Sequence, residues 1–187
     1  MKTNRDDLIV VALRLFLTKG YDKTSMMDLA RAAQVSKGAF HHYFPRKEAL
    51  LQACLDHFFT DFLPDPDGPS ATLHDMAMAT ADSYALALIR LCEHQIPLPA
   101  FQAFLWDQLR RDTQPILARN LAMQQALAQK IRAEKPLFSD TQAARSAQQF
   151  LALIEGTGTL LCLQGAPSSA EINTAFQTTA ADFLARL

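Results

Sequence analysis

Apolar residues recur at intervals of three and four along almost the whole chain, and no run alternates apolar with polar long enough to make a convincing strand. That rhythm confines the chain to an all-α fold, and alanine and leucine, both good helix formers, fill it. The stops fall where helices must end. Gly20 follows Lys19, Pro45 follows Phe44, and Leu63 to Ser70 carries three prolines and a glycine. Further breaks stand at Ile96-Pro97-Leu98-Pro99, Pro136 to Asp140 and Gly165-Ala166-Pro167. These predict about nine helices: Arg5–Lys19, Ser25 to near Ala33, Lys37–Tyr43, Lys47–Phe62, Thr72–Cys92, Ala100–Arg111, Pro115–Ala133, Thr141–Gln164 and Ser169–Leu187.

The second and third helices are short and separated by only Gln34-Val35-Ser36. Ser25 is a good N-cap with Asp28 three residues on, and Ser36 caps the helix after the turn. Two short helices packed steeply need a small residue at the crossing and apolar residues on their inner faces. Ala30 supplies the first; Leu29, Ala33, Val35, Phe40 and Tyr43 supply the second. The outward positions of the third helix are Lys37, Gly38, Ala39, His41 and His42, all small, basic or hydrogen-bonding. This is the pattern of a helix-turn-helix that reads DNA. Ser36 and the helix start can take a phosphate, Gly38 and Ala39 let the backbone approach the groove floor, and the Ala39 methyl suits a thymine methyl. His42 can donate to a base or phosphate. Thr24, Ser25, Tyr43 and Lys47 are placed for phosphate contacts. Read without that chemistry, residues 25–44 are simply a helical hairpin.

Charge agrees with a polyanion-binding head. Residues 1–50 carry nine Lys/Arg against five Asp/Glu, whereas the remainder carries nine against fourteen, within a net charge of −1. No apolar run approaches the length of a membrane span. The start, Met1 to Asp7, places acids where a signal peptide would be apolar, so a cytoplasmic location is expected. Three widely spaced cysteines, Cys54, Cys92 and Cys162, suggest neither a disulfide framework nor a zinc site. Cys92 stands near His94, which would lower its pKa; inert thiols are the simpler expectation. No metal or cofactor is implied.

Phe16, Lys19-Gly20-Tyr21, Thr24-Ser25-Met26, Asp28-Leu29-Ala30, Ala33, Val35 to Phe40 and Tyr43 to Leu50 resemble the N-terminal domain of the TetR/AcrR family over about residues 6–55. The resemblance implies a three-helix DNA-reading head, a fourth helix linking it to an effector domain, a homodimer, and most often a repressor released by a small molecule. The division implied is 1–46 for the helix-turn-helix domain and 47–187 for a helical bundle that binds ligand and dimerises. Two positions depart from the family pattern. Gln34 stands where glycine is usual, at a cost of about 1–2 kcal/mol if the residue is left-handed. His41 stands where tyrosine is usual.

Beyond residue 62 the residues themselves must carry the reading. In the eighth helix one stripe runs Ala147, Leu151, Ile154, Gly158, Leu161, Gly165, and a second runs Phe150, Leu153, Thr157, Leu160. A helix apolar on two sides must be covered on two sides. Leu151, Ile154, Gly158 and Leu161, with Ile172, Phe176 and Phe183 of the last helix, are expected at the dimer interface, and close approach would account for Gly156 and Gly158. Met76, Tyr84, Leu88, Phe101, Phe104, Trp106 and Phe150 are expected to line a site for a small apolar or aromatic effector. The function predicted is a ligand-responsive regulator binding a palindromic operator in double-stranded DNA as a homodimer. The alternative is a helical-bundle enzyme or ligand carrier without DNA binding. No nucleophile set, phosphate loop or Glu-x-x-His pair favours it.

Overall fold

The computed structural model describes residues 4–58, 72–111, 114–165 and 167–187. Among these, nine helices and no strand are present: α1 (Arg5–Lys19), α2 (Met26–Ala32), α3 (Lys37–Tyr43), α4 (Lys47–Phe58), α5 (Leu73–Glu93), α6 (Leu98–Arg111), α7 (Gln114–Glu134), α8 (Asp140–Leu163) and α9 (Ser169–Ala185). The all-α expectation holds, with boundaries within a few residues of those read from caps and breakers. The expected end of the fourth helix, with Phe59 and Phe62, and the loop 63–70 lie outside the described residues.

Capping explains where several helices begin. Asn4, Ser25, Ser139 and Ser168 each accept a hydrogen bond from the N–H three residues on, and the acidic or amide side chain there returns one. Each box satisfies two donors that the first turn would otherwise orphan.

The chain forms two compact units. The first comprises residues 1–61 together with His94–Ile96. Its core is the face of α1 bearing Leu8, Ile9, Ala12, Leu13 and Phe16, against Leu29, Phe40, Phe44, Leu50, Ala53 and Phe58. Helix α4 packs on α1, and the Cys54 thiol reaches the Ile9 carbonyl at 3.6 Å. The expected boundary at residue 46 is therefore displaced beyond α4, because the buried face of α4 is spent on α1.

The second unit is a bundle in which α5 packs on α9, α7 on α8, and α8 on α9. Its core joins Leu73, Met76, Ala77, Ala81 and Ala85 of α5, Met123, Leu127 and Ile131 of α7, and the inner faces of α8 and α9. The Phe150 and Phe183 rings lie 4.8 Å apart, and the Thr157 and Thr179 hydroxyls are hydrogen bonded at 2.9 Å. No helix among the described residues is long and apolar enough to cross a membrane.

That core corrects the expected dimer seam. Leu151, Ile154, Leu161, Ile172, Phe176 and Phe183 are already buried within one chain. Gly158 faces the Phe176 ring at ordinary contact distance, 3.5 Å for an added Cβ, and Gly156 faces open space. Neither glycine is needed for close packing inside the chain. The physical reason is that α9 and α7 claim the stripe that the seam was expected to use. The outward stripe holds Leu153, Leu160 and Leu163, exposed at 45, 61 and 73%.

Candidate nucleic-acid interface

Helices α2 and α3 are held at a turn built by backbone bonds. The Val35 N–H donates to the Ala30 carbonyl and the Gln34 N–H to the Arg31 carbonyl, each at 3.1 Å. This closes α2 with a left-handed residue. Gln34 is that residue, with φ of +56°. The position where glycine was missed is thus left-handed despite its side chain.

Behind the turn, Phe40 is fully buried and its ring lies 6.0 Å from that of Phe44. Phe44, not Tyr43, supplies the second anchor: Tyr43 is 42% exposed and meets His42 edge to face at 5.6 Å. Helical spacing explains the swap. Phe44 lies one turn beyond Phe40, and its N–H donates to the Phe40 carbonyl at 3.0 Å. Lys37, Gly38, Ala39 and His42 are exposed and His41 is half-buried. A Cβ added at Gly38 meets nothing within 4 Å. The Ser36 hydroxyl is engaged as the cap, accepting from the Ala39 N–H at 3.1 Å.

Three expected phosphate donors are used differently. Thr24 is buried, and its hydroxyl donates to the Gly20 carbonyl at 2.8 Å. The Ser25 hydroxyl donates to the Asp28 carboxylate at 2.7 Å while capping α2. The Lys47 ammonium donates to the carbonyls of Tyr21 and Thr24 at 3.0 Å each and sits over the Tyr21 ring, 4.3 Å from its centre. The chain between α1 and α2 runs without regular structure, so its carbonyls need donors, and Thr24 and Lys47 supply them. Asp28 also pairs with Lys19 at 2.6 Å. The Lys19 and Ser25 hydrogen bonds hold its carboxyl well below the usual carboxylate range.

The expected effector residues divide. Met76 and Phe150 are core residues, with Tyr84 and Leu88 packed against the same cluster. Phe101 and Phe104 are buried on α6, which packs on α8 and α5. Trp106 is 60% exposed and stands apart. A separate cleft of about 530 Å³ opens where α8 turns into α9, lined by Leu161, Gln164, Pro167, Glu171 and Thr174 among others. It contains none of those seven residues.

Burial pushes all three thiols up, Cys162 to about 11. The expected lowering at Cys92 is not found; desolvation dominates, and Glu93 adds to it. No group of metal-ligating side chains occurs among the described residues.

Comparison with known proteins places this geometry. Residues 8–54 match the model of the bacterial regulatory proteins of the tetR family. The chain is 30% identical over 178 residues to the HTH-type transcriptional regulator BetI of Burkholderia lata, covering 91% of this chain and 86% of that one. Some curated relatives match over only about a third of this chain, and the chain then spans as little as a fifth of their own length. Among solved structures, the TetR family regulator PfmR of Thermus thermophilus superposes with a TM-score of 0.66 at 18% identity, covering 95% of this chain and 97% of that one. The flavonoid-responsive regulator FrrA gives 0.52 at 27% identity, covering 97% and 96%.

Proposed function

The chain belongs to the TetR family of bacterial regulatory proteins, and from that premise we propose that it is a repressor, acting in the cytoplasm, whose homodimer binds a palindromic operator and is released by a small aromatic effector. The observation that carries the DNA reading is the split face of α3. Phe40 is fully buried while Lys37, Gly38, Ala39 and His42 are exposed on the same seven-residue helix. A dimer offers two such helices to successive major grooves, about 34–36 Å apart. Lys37, His41, His42 and Tyr43 are the side chains assigned to DNA, with Gly38 and Ala39 allowing close approach.

Dimerisation is assigned to the outward stripe of α8, where Leu153, Leu160 and Leu163 stand uncovered in the single chain. Covering this apolar stripe with its symmetry mate removes it from water. For the effector, the second unit offers aromatic and aliphatic side chains between helices, the usual lining of a small-molecule site. FrrA, with a similar fold, is described as flavonoid-responsive. That supports an aromatic ligand.

The test is binding to the DNA immediately upstream of the reading frame. The wild type protects a palindrome there, with an affinity that falls steeply with salt. Lys37→Ala and His42→Ala each weaken binding by about tenfold. Equal binding to unrelated DNA, or no salt dependence, would refute the operator reading.

A further inference from the structure

We propose that operator binding takes up protons at His41 and His42, so that the head holds DNA more tightly as pH falls from about 8 to about 6. The inference rests on the regulator reading and adds a regulation to the same face of α3.

The observation is what remains available on that face. Thr24, Ser25 and Lys47 are committed to carbonyls and to Asp28 inside the head. That leaves Lys37 as the only permanent cation on α3, which carries no acid and ends its last turn on His41 and His42. His42 is exposed and His41 half-buried. Neither imidazole has a hydrogen-bond or ion-pair partner among the described residues, and His42 meets only the Tyr43 ring. Helical spacing puts Lys37 and His41 in one row and Gly38 and His42 in another, away from the buried row of Phe40 and Phe44. Gly38 leaves its row open, since a Cβ there meets nothing within 4 Å.

The surroundings supply few anions to meet a proton. Helix α3 packs on α2, whose charged groups are Asp28 and Arg31. Arg5 of α1 lies over the Phe44 ring, and Arg46, Lys47 and Glu48 follow α3 in the chain. Asp28 is held by Lys19 at 2.6 Å, and Glu48 forms no ion pair with either histidine. Protonated, His41 repels Lys37 one turn away; a phosphate placed against that row attracts both.

The direction of the effect follows from linkage. Histidine changes charge between about pH 5 and 8, and a nearby phosphate favours the charged form. The complex therefore holds more protons than the separate partners, and reciprocity requires that added protons strengthen DNA binding. Asp28 does not contribute, because its carboxyl, held well below the usual range, stays ionised throughout this window.

The experiment titrates the full chain into a rhodamine-labelled duplex spanning the DNA immediately upstream of the reading frame, at about pH 8 and about pH 6. Affinity at fixed salt is about tenfold higher at the lower pH. The slope of log affinity against log salt steepens there by about 1 or more, since each imidazolium releases counterions. A double variant, His41→Gln with His42→Gln, keeps hydrogen-bonding side chains at the surface, and its ratio between the two pH values falls to about twofold or less. Circular dichroism checks its folding; if it is unfolded, the single variants carry the test, each with a ratio of about threefold. Equal wild-type affinity and salt slope at both pH values overturn the proposal. So does a double variant that keeps the wild-type ratio, which places the protons on His57, His74 or His94. Either result leaves the operator reading standing. Absence of salt-dependent DNA binding at both pH values removes the operator reading, and this proposal with it.

Discussion

The guanidinium of Arg14 donates to the main-chain carbonyl of His94 at 2.6 Å, across eighty positions of sequence. The peptide it holds, His94–Ile96, belongs to the same compact unit as the helix-turn-helix, although it joins α5 to α6. There the His94 ring meets Phe58 edge to face at 5.6 Å, Ile96 is buried, and Gln95 is left-handed with φ of +54°. This short strap between α5 and α6 thus belongs to the first compact unit, not to the second. Arg14→Ala is expected to lower unfolding free energy by about 1 kcal/mol, the net worth of one such hydrogen bond. Operator affinity without ligand stays within about twofold, while the ligand's effect on operator affinity shrinks, because coupling of about 1–3 kcal/mol must pass through some physical link. Paired operator titrations, with and without a releasing compound, read this directly. An unchanged ligand effect would remove the strap from the mechanism.

Gln34 pays for the turn with a left-handed backbone. Gln34→Gly relieves about 1–2 kcal/mol of strain and loses about 0.4–1 kcal/mol through the freer unfolded chain. The expected net is a head more stable by about 0.5–1 kcal/mol, read by chemical denaturation. The side chain is exposed, so no packing is lost.

Lys47 separates two roles that sequence alone cannot. A lysine just after a helix-turn-helix reads as a phosphate contact, yet this one caps the carbonyls of Tyr21 and Thr24. Lys47→Met keeps the stem over Tyr21 and removes the donors. It is expected to cost about 1–3 kcal/mol of stability. If the role is structural, the slope of log affinity against log salt stays constant; loss of one phosphate contact would lower it by about 1.

How much of this was legible follows from where the information resides. The bounds of α3 were readable because Ser36 and Pro45 act locally; the left-handed backbone of Gln34 was legible only as a condition, because its side chain does not announce the glycine-like conformation that the turn imposes. Thr24 was misread because a threonine beside a capping serine looks like surface; its burial depends on the path of the chain from Gly20. Tyr43 and Phe44 are adjacent aromatics, and only the direction of the helix decides which turns inward. On α8, two apolar stripes of similar strength run side by side. Periodicity says that both need cover and is silent on which is covered by α9. Asn120 of α7 and Glu155 of α8 meet in a hydrogen bond across thirty-five positions, with no sequence spacing to announce it.

Asp28 makes the head sensitive to acid. Its carboxyl titrates well below the usual range because Lys19 and Ser25 stabilise the charged form. A depressed folded-state pKa gives stability that is present in full above the unfolded pKa, near 4, and is lost as pH falls toward the folded value. Asp28→Asn is therefore expected to be less stable than the wild type at neutral pH, with the two converging as pH falls below about 4. Urea midpoints across a pH series test this. A gap that widens in acid would reverse the sign and contradict the assignment.

The two stripes of α8 give the last test, because they call for different consequences from single substitutions on the two faces of one helix. Ile154 is fully buried in the single chain, so Ile154→Ala opens a cavity and is expected to cost about 2–5 kcal/mol. Leu160 is 61% exposed, so Leu160→Glu leaves the chain's own core intact. If the outward stripe pairs with its symmetry mate, that substitution buries a charge against Leu153, Leu163 and their counterparts, and the dimer comes apart. Sedimentation then shows a folded, helical monomer at micromolar concentration. Operator affinity falls by about a hundredfold, since two half-sites no longer bind as one unit. A Leu160→Glu protein that remains a dimer with full operator affinity would place the interface elsewhere.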